Sequence, residues 1–296
     1  MIFSKNTFKR ARPILGTFFE IKVFTESAVD GAQTNYQLTE IFEIANQLES
    51  LFSIFNEDSD TNRLNRASPG DRLLVSKYFF ELFQLALKIE EFSEKSFNCF
   101  LLEHSLTDNN QICRHASSQD LVQNNFNFFS EAGKFWIQKN NAGTIDLNGI
   151  AKGYIVDHTA AELAQRLPLF SGIINAGGDL RFVNETYRET NLRLGAMAFP
   201  KYQKLISPFD SVATSSFTVS QNNPHSKTSY IKRLRPPLDE LSTITVLGPN
   251  CAVADSITKV ALFASKKVIE KCADYFNLQI LAFDRHGVLI ESYGSL

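Results

Sequence analysis

The 296-residue chain holds one tryptophan, two methionines and four cysteines, and none of the cysteines form a C-x-x-C pair. Cys99, Cys113, Cys251 and Cys272 are too scattered for a zinc site or a disulfide scaffold, so reduced, buried thiols are expected. No stretch approaches the roughly 20 apolar residues that a membrane span requires. The histidines, His104, His115, His158, His225 and His286, show no H-E-x-x-H spacing, and no G-x-S-x-G elbow exists to carry a hydrolase triad. Neither a G-x-G-x-x-G following a strand nor a G-x-x-x-x-G-K-[ST] loop is present, so any dinucleotide would be held another way. Charge of one sign is missing too. With 30 basic against 32 acidic residues and no clustered basic face, a nucleic-acid or membrane-surface partner is not expected. The opening "MIFSKNTFKRARPILGTFFEIKV" is basic, but its apolar residues are interrupted, so no signal peptide is expected and the expected location is cytoplasmic.

What remains is the composition of a globular protein, 44% hydrophobic and 21% charged, with 26 phenylalanines that predict an aromatic-rich core. "GTFFEIKVFT" reads as a strand, and "AQTNYQLTEIFEIANQLESLFSIF" has helical spacing. A polar loop is expected over "NEDSDTNRLNRASPGDR", then a helix, "VSKYFFELFQLALKIEEFSEKS", with Ser76 as its cap. Residues from about Phe97 to Ser118 read as irregular, and "FNFFSEAGKFWIQKNNAGTIDL" as short strands with turns at Gly133 and Asn141 to Gly143. A helix over "IAKGYIVDHTAAELAQRL" precedes "SGIINAGGDLRFV", a strand, glycine turn and strand. "ETNLRLGAMAF", "SVATSSFTVS" and "STITVLGP" continue the β character around a polar stretch from Gln221 to Leu241. One helix is expected over "CAVADSITKVALFASKKVIEKCADYF" and a closing hairpin around "DRHG". Strands and helices interleave without βαβ repetition. The expected class is α+β, with mixed sheets flanked by helices in two interlocked lobes of a single 1–296 domain.

Three stretches could carry chemistry. In "DLNGIAKG", Asp146 precedes a helix and Lys152 lies in its first turn, where a cation opposes the macrodipole. Backbone N–H groups at a helix start beside a lysine suit phosphate oxygens; an exposed lysine at small cost is the alternative. In "INAGGDLR", the glycines ahead of Asp179 build a hairpin turn or let a ligand approach bare backbone. In "VADSITKVALF", Asp255 and Lys259 are spaced to pair across one helical turn, for about 0.3 kcal/mol. Asp255 and Thr258 could otherwise hold a hard cation such as Mg²⁺.

In order and spacing, "RPILGTFFEIKV", "LFSIFNEDSDTNRLN", "TIDLNGIAKGYIVD", "IINAGGDLR", "VATSS" and "TVLGPNCAVADSITKVALF" resemble the ApbE-type FAD:protein FMN transferases from Arg12 to Phe263. The resemblance implies an enzyme that splits the FAD diphosphate and places FMN, with Mg²⁺ assistance, on a Ser or Thr hydroxyl of an acceptor protein. It implies FAD contacts at Asp146, Lys152, Leu15, Phe55, Ser96, Phe97, Asn98 and Lys259, and metal ligands at Gly149, Asp255 and Thr258. A catalytic residue is not implied. Three departures stand out. "KSFNCF" has Asn98 and Cys99 where the family has Asp-Pro. The family's histidine-bearing stretch after "VATSS" is missing, with Pro237 and Asp239 as its remnants. Lys259 occupies the place of a metal-ligand threonine, four residues after the aspartate, and Thr258 is rotated from it by about 100°. A lysine there is expected to act as a fixed charge near the metal's place. Two other functions share the site: an FAD-binding homologue without catalysis, and an FAD diphosphate hydrolase with water as acceptor.

Overall fold

The computed structural model describes residues 6–102, 125–184, 189–194, 201–216, 241–284 and 286–294. The polar stretch read from Gln221 to Leu241, with Pro237 and Asp239, lies outside them except for Leu241. So do Cys113, His104, His115 and His225.

The chain begins as a hairpin, β1 (Asn6–Ile14) and β2 (Thr17–Thr25), whose turn residues Leu15 and Gly16 both take positive φ, 60° and 66°. That is the backbone a two-residue hairpin demands, and leucine adopts it at a cost of about 1–3 kcal/mol. The strain is held in place by α1 (Gly31–Phe52), whose Glu49 carboxylate accepts the Leu15 N–H at 2.9 Å. Asp30 caps α1 by accepting from Ala32 N at 2.8 Å, and the helix buries Leu38, Ile41, Phe42, Ala45 and Leu48 at helical spacing.

The expected polar loop contains a short helix, α2 (Asp60–Arg66). Ser59 caps it, accepting from Asn62 N at 3.0 Å, and buried Asp60 and Leu64 fix it to the core. Polar composition hid it, because its anchors are only a few residues. A strand, β3 (Arg72–Val75), follows, then α3 (Lys77–Phe92) with Ser76 as the cap, accepting from Phe79 N at 3.1 Å. The segment expected to be irregular from Phe97 includes β4 (Phe100–Leu102). The hairpin β5 (Phe126–Glu131) and β6 (Lys134–Lys139) turns at Gly133 as expected, and β3 joins it in a three-stranded sheet. β7 (Gly143–Ile145) pairs with β4 and leads into α4 (Ala151–Arg166).

Next come β8 (Ser171–Ala176) and β9 (Asp179–Val183), joined at Gly177 and Gly178, then β10 (Glu189–Leu194), β11 (Lys201–Ile206), β12 (Ser211–Ser216) and β13 (Leu241–Gly248). The single helix expected after them is two: α5 (Cys251–Phe263) and α6 (Lys266–Phe276). Extended backbone at Ala264 and Ser265 separates them. β14 (Gln279–Asp284) and β15 (Leu289–Tyr293) close the chain as the expected hairpin. The main sheet has eight strands in the order β1-β2-β8-β9-β12-β13-β14-β15. The class is α+β as expected, but every described ladder is antiparallel, where mixed sheets were anticipated. Alternation along β2 (Phe19, Ile21 and Val23 buried) shows the physical basis, one face on the core and one outward. Among the described residues no helix is long and apolar enough to cross a membrane.

Candidate functional site

The junction of α4 and α5 begins with a missing side chain. A Cβ on Gly153 would lie 2.4 Å from the Cys251 carbonyl oxygen and 2.7 Å from the Ala252 Cα, so only glycine lets the two helix starts meet this closely. Neither helix is capped by its own flanking residue: Ile150 and Asn250 make no side-chain cap. Each is capped by the other helix instead. Asp157 of α4 accepts from Cys251 N and Ala252 N, both at 2.9 Å, and Asp255 of α5 accepts from Gly153 N through Oδ2 at 3.3 Å. Carboxylates at helix starts satisfy orphan N–H groups and complement the dipole. Arg181 of β9 completes the Asp157 side, donating to its Oδ1 at 2.5 Å and to the Pro249 carbonyl at 3.1 Å.

The other Asp255 oxygen belongs to lysines. The Lys259 ammonium lies directly on Oδ1 and also donates to the Asp255 carbonyl at 2.9 Å, while Lys152 Nζ is 3.9 Å from the same Oδ1. Lys152 makes its own close ion pair with Asp179, the first residue of β9 after the glycine turn. The Asp179 carboxylate is 1% exposed and makes no hydrogen bond to another side chain or to backbone among the described residues, so this ammonium is what neutralises it. Two lysines and two aspartates thus form a formally neutral quartet. Burial would push the Asp255 carboxyl up, but the Lys152 and Lys259 charges and the Gly153 N–H together hold it below the ordinary carboxylate range. Burial pulls the Lys152 ammonium down, and Lys259 adds to this against the opposing attraction of Asp255.

The metal ligands implied by the resemblance border this quartet. Gly149 O faces the Ser256 hydroxyl at 3.4 Å, and Thr258 Oγ1 donates to Asp255 O at 2.7 Å and shares a 2.7 Å hydrogen bond with Ser215 Oγ. Each of these oxygens already takes part in a hydrogen bond within the protein, and the Lys259 ammonium sits on Asp255 Oδ1. As arranged the donor set does not fit Mg²⁺, because an ammonium occupies the carboxylate oxygen that a hard cation would take.

Of the other expected contacts, Asp146 and the Ser96–Asn98 segment lie near the same helix start. Asp146 is partly exposed; its Oδ1 accepts from Asn148 N at 2.9 Å, and its N–H donates to the Cys99 carbonyl at 3.0 Å, which brings the Ser96–Cys99 segment beside the α4 entry. Within that segment Ser96 and Phe97 are fully buried and Asn98 is partly exposed, its side chain accepting from Phe100 N at 3.0 Å. Glu90, buried behind it, accepts from Cys99 N at 3.3 Å, and burial pushes its carboxyl up to about 7 against that pull. The Leu15 turn reaches the quartet's side of the sheet, since a Cβ on Gly177 would lie 2.6 Å from Thr17 Oγ1. Phe55 stands 88% exposed past the end of α1, and Phe52 stacks edge-on against Tyr154 of α4 at 5.7 Å. A separate cavity of about 300 Å³ is lined by Ala160, Ala164, Arg181 and Asp210 and includes no member of the quartet.

Asp179, Asp157 and Arg181 are the site members that the motif reading did not assign. Their signal was present: each is a charged residue in an otherwise apolar stretch, "YIVDHTA" and "GGDLRFV". Asp179 was visible as a turn residue, and its ion pair with Lys152 depends on where α4 packs.

The fold is shared with ApbE proteins of known structure. The apbe protein of Thermotoga maritima is similar with a TM-score of 0.70 at 18% identity, over 97% of each chain. The flavin transferase ApbE of Vibrio cholerae gives 0.70 at 16% identity, over 99% of this chain and 98% of that one. The flavinyl transferase ApbE of Pseudomonas stutzeri gives 0.69 at 18%, over 100% and 99%. At such identities these likenesses concern the fold. Residues 15–282 match the ApbE family itself, and the chain belongs to it. No curated protein matches the chain.

Proposed function

We propose that this chain is an FAD:protein FMN transferase. Membership of the ApbE family carries the reading, and the half-buried lysine pair at the α4–α5 junction supports it. In the reaction an acceptor Ser or Thr oxygen bonds to the FMN-side phosphorus, the diphosphate P–O bond breaks, AMP leaves and the hydroxyl proton is released. Such transfers depend on positioning and on neutralising the phosphates. Lys152 and Lys259 present N–H donors and local positive charge, while Asp179 and Asp255, which balance them in net charge, hold both ammonium groups in place. Partly exposed Asp146 and Asn98 flank the α4 entry, where the FAD contacts are proposed, with Leu15 and Phe55 toward the flavin. No step is routed through Mg²⁺, because the Lys259 ammonium stands on the Asp255 oxygen the ion would use. The acceptor is a protein bearing a Ser or Thr flavinylation site.

AMP release from FAD, measured with and without an acceptor protein of that kind, tests the reading. AMP that requires the acceptor, together with a covalent flavin on it, is the expected result. AMP formed with water alone assigns a hydrolase. Absence of AMP while FAD still binds assigns a non-catalytic flavin-binding homologue.

A further inference from the structure

The place where the family resemblance implies a divalent ion is filled by part of the protein. We infer that the Lys259 ammonium is the resident cation of this site, and that the site neither binds nor requires a divalent metal. Three observations carry this. The Asp255 carboxylate, 1% exposed, is engaged at both oxygens: Oδ1 by Lys259, with Lys152 at 3.9 Å, and Oδ2 by the Gly153 N–H. The Thr258 hydroxyl is turned inward to Asp255 O and Ser215. The Gly149 carbonyl faces the Ser256 hydroxyl. A metal would have to displace the ammonium of a half-buried Lys259, whose side chain is 14% exposed, and would then sit beside Lys152 as well. Two positive groups already balance Asp255 and Asp179, so a dication would add uncompensated charge in a buried setting, where repulsion is poorly screened. A protonated ammonium cannot itself ligate a metal. Lys259 therefore excludes the metal while supplying fixed positive charge.

The test uses Mn²⁺ as a spin-active probe on the full chain, without flavin, so it does not depend on the transferase reading. The free Mn²⁺ resonance is titrated with protein at up to about millimolar metal. The wild-type chain is expected to leave the signal unchanged. Lys259→Thr, which removes the ammonium and places a hydroxyl four residues after Asp255, is expected to bind Mn²⁺ at least ~10-fold more tightly than wild type. A wild-type chain that binds Mn²⁺ tightly in a manner abolished by Asp255→Asn overturns the inference. So does a folded Lys259→Thr with no gain. Should that variant fail to fold, Lys259→Gln, which removes the charge, takes its place with the same expected gain in Mn²⁺ affinity and the same overturning result. FAD titrated in EDTA and in excess Mg²⁺ adds a second arm: affinities within roughly twofold support the inference, and binding that appears only with Mg²⁺ overturns it. A wild-type chain that ignores Mn²⁺ and never binds FAD supports the resident cation and removes the transferase reading instead.

Discussion

Two buried regions of this protein are held by opposite means. Around α3 and the β5–β6 hairpin, Phe79, Phe80, Phe83, Phe126 and Phe128 pack ring against ring, as in the 4.8 Å edge contact of Phe83 with Phe126. At the α4–α5 junction, Asp157 and Asp255 are held by backbone N–H groups and by the cations of Arg181, Lys152 and Lys259. Apolar packing degrades by degrees, because a smaller side chain loses contacts in proportion to what is removed. A charge network fails abruptly, because removing one member strands another without water.

The largest expected effect follows. Asp255→Ala leaves two ammonium groups and the Gly153 N–H under-partnered, and is expected to lower the unfolding free energy by about 3–5 kcal/mol, read from the denaturant midpoint. A loss no greater than that of an exposed-site change would break the comparison. Next is Glu90, whose carboxyl is pushed by burial up to about 7, above its ordinary value of 4.5. The raised value means the folded state prefers the neutral form, so the stability it contributes is present below pH 4.5 and is lost as pH rises through 7. Wild type should lose about 2–3 kcal/mol across that window, and Glu90→Gln should flatten the slope, as pH-dependent urea unfolding would show. A slope of the opposite sign sinks this assignment.

Helix caps give a paired contrast. Asp157→Ala strips two N–H groups of α5 and unpairs Arg181, so about 2–4 kcal/mol should be lost. Ser76→Ala removes a single local cap of α3 and should cost about 1 kcal/mol. Equal losses in thermal unfolding would erase the distinction between a cap built by the neighbouring sequence and one built by packing. A similarly small effect is expected from Phe83→Leu, about 1–2 kcal/mol, since the apolar cluster can close around a leucine. A loss as large as that of Asp255→Ala would show that the aromatic region is as unforgiving as the charged one.

Much of the fold was legible in local pattern. α1 and α3 announce themselves by apolar spacing and by Asp30 and Ser76, and the hairpins at Gly133 and Gly177–Gly178 by their glycines. α2 escaped notice because a seven-residue helix in a polar stretch has little periodicity to show. The break between α5 and α6 was missed because Ala264 and Ser265 contain neither glycine nor proline. The site was legible only in pieces. Lys152, Asp255 and Lys259 could be singled out by position, and the pairing of Asp255 with Lys259 was one of the two readings offered by their spacing.

The sequence by itself determined the residue types and their periodicity: which faces are apolar, where glycine permits a turn, and that a lysine stands four residues after Asp255, because these are set within a few residues along the chain. Only the tertiary structure decided what the charges do. Lys152 meets Asp179, 27 positions away, and Asp157 caps a helix that begins 94 residues later, because Gly153 lets α4 and α5 touch. Coulomb and hydrogen-bond energies depend on distances of a few ångströms and on the removal of water, and those are properties of packing.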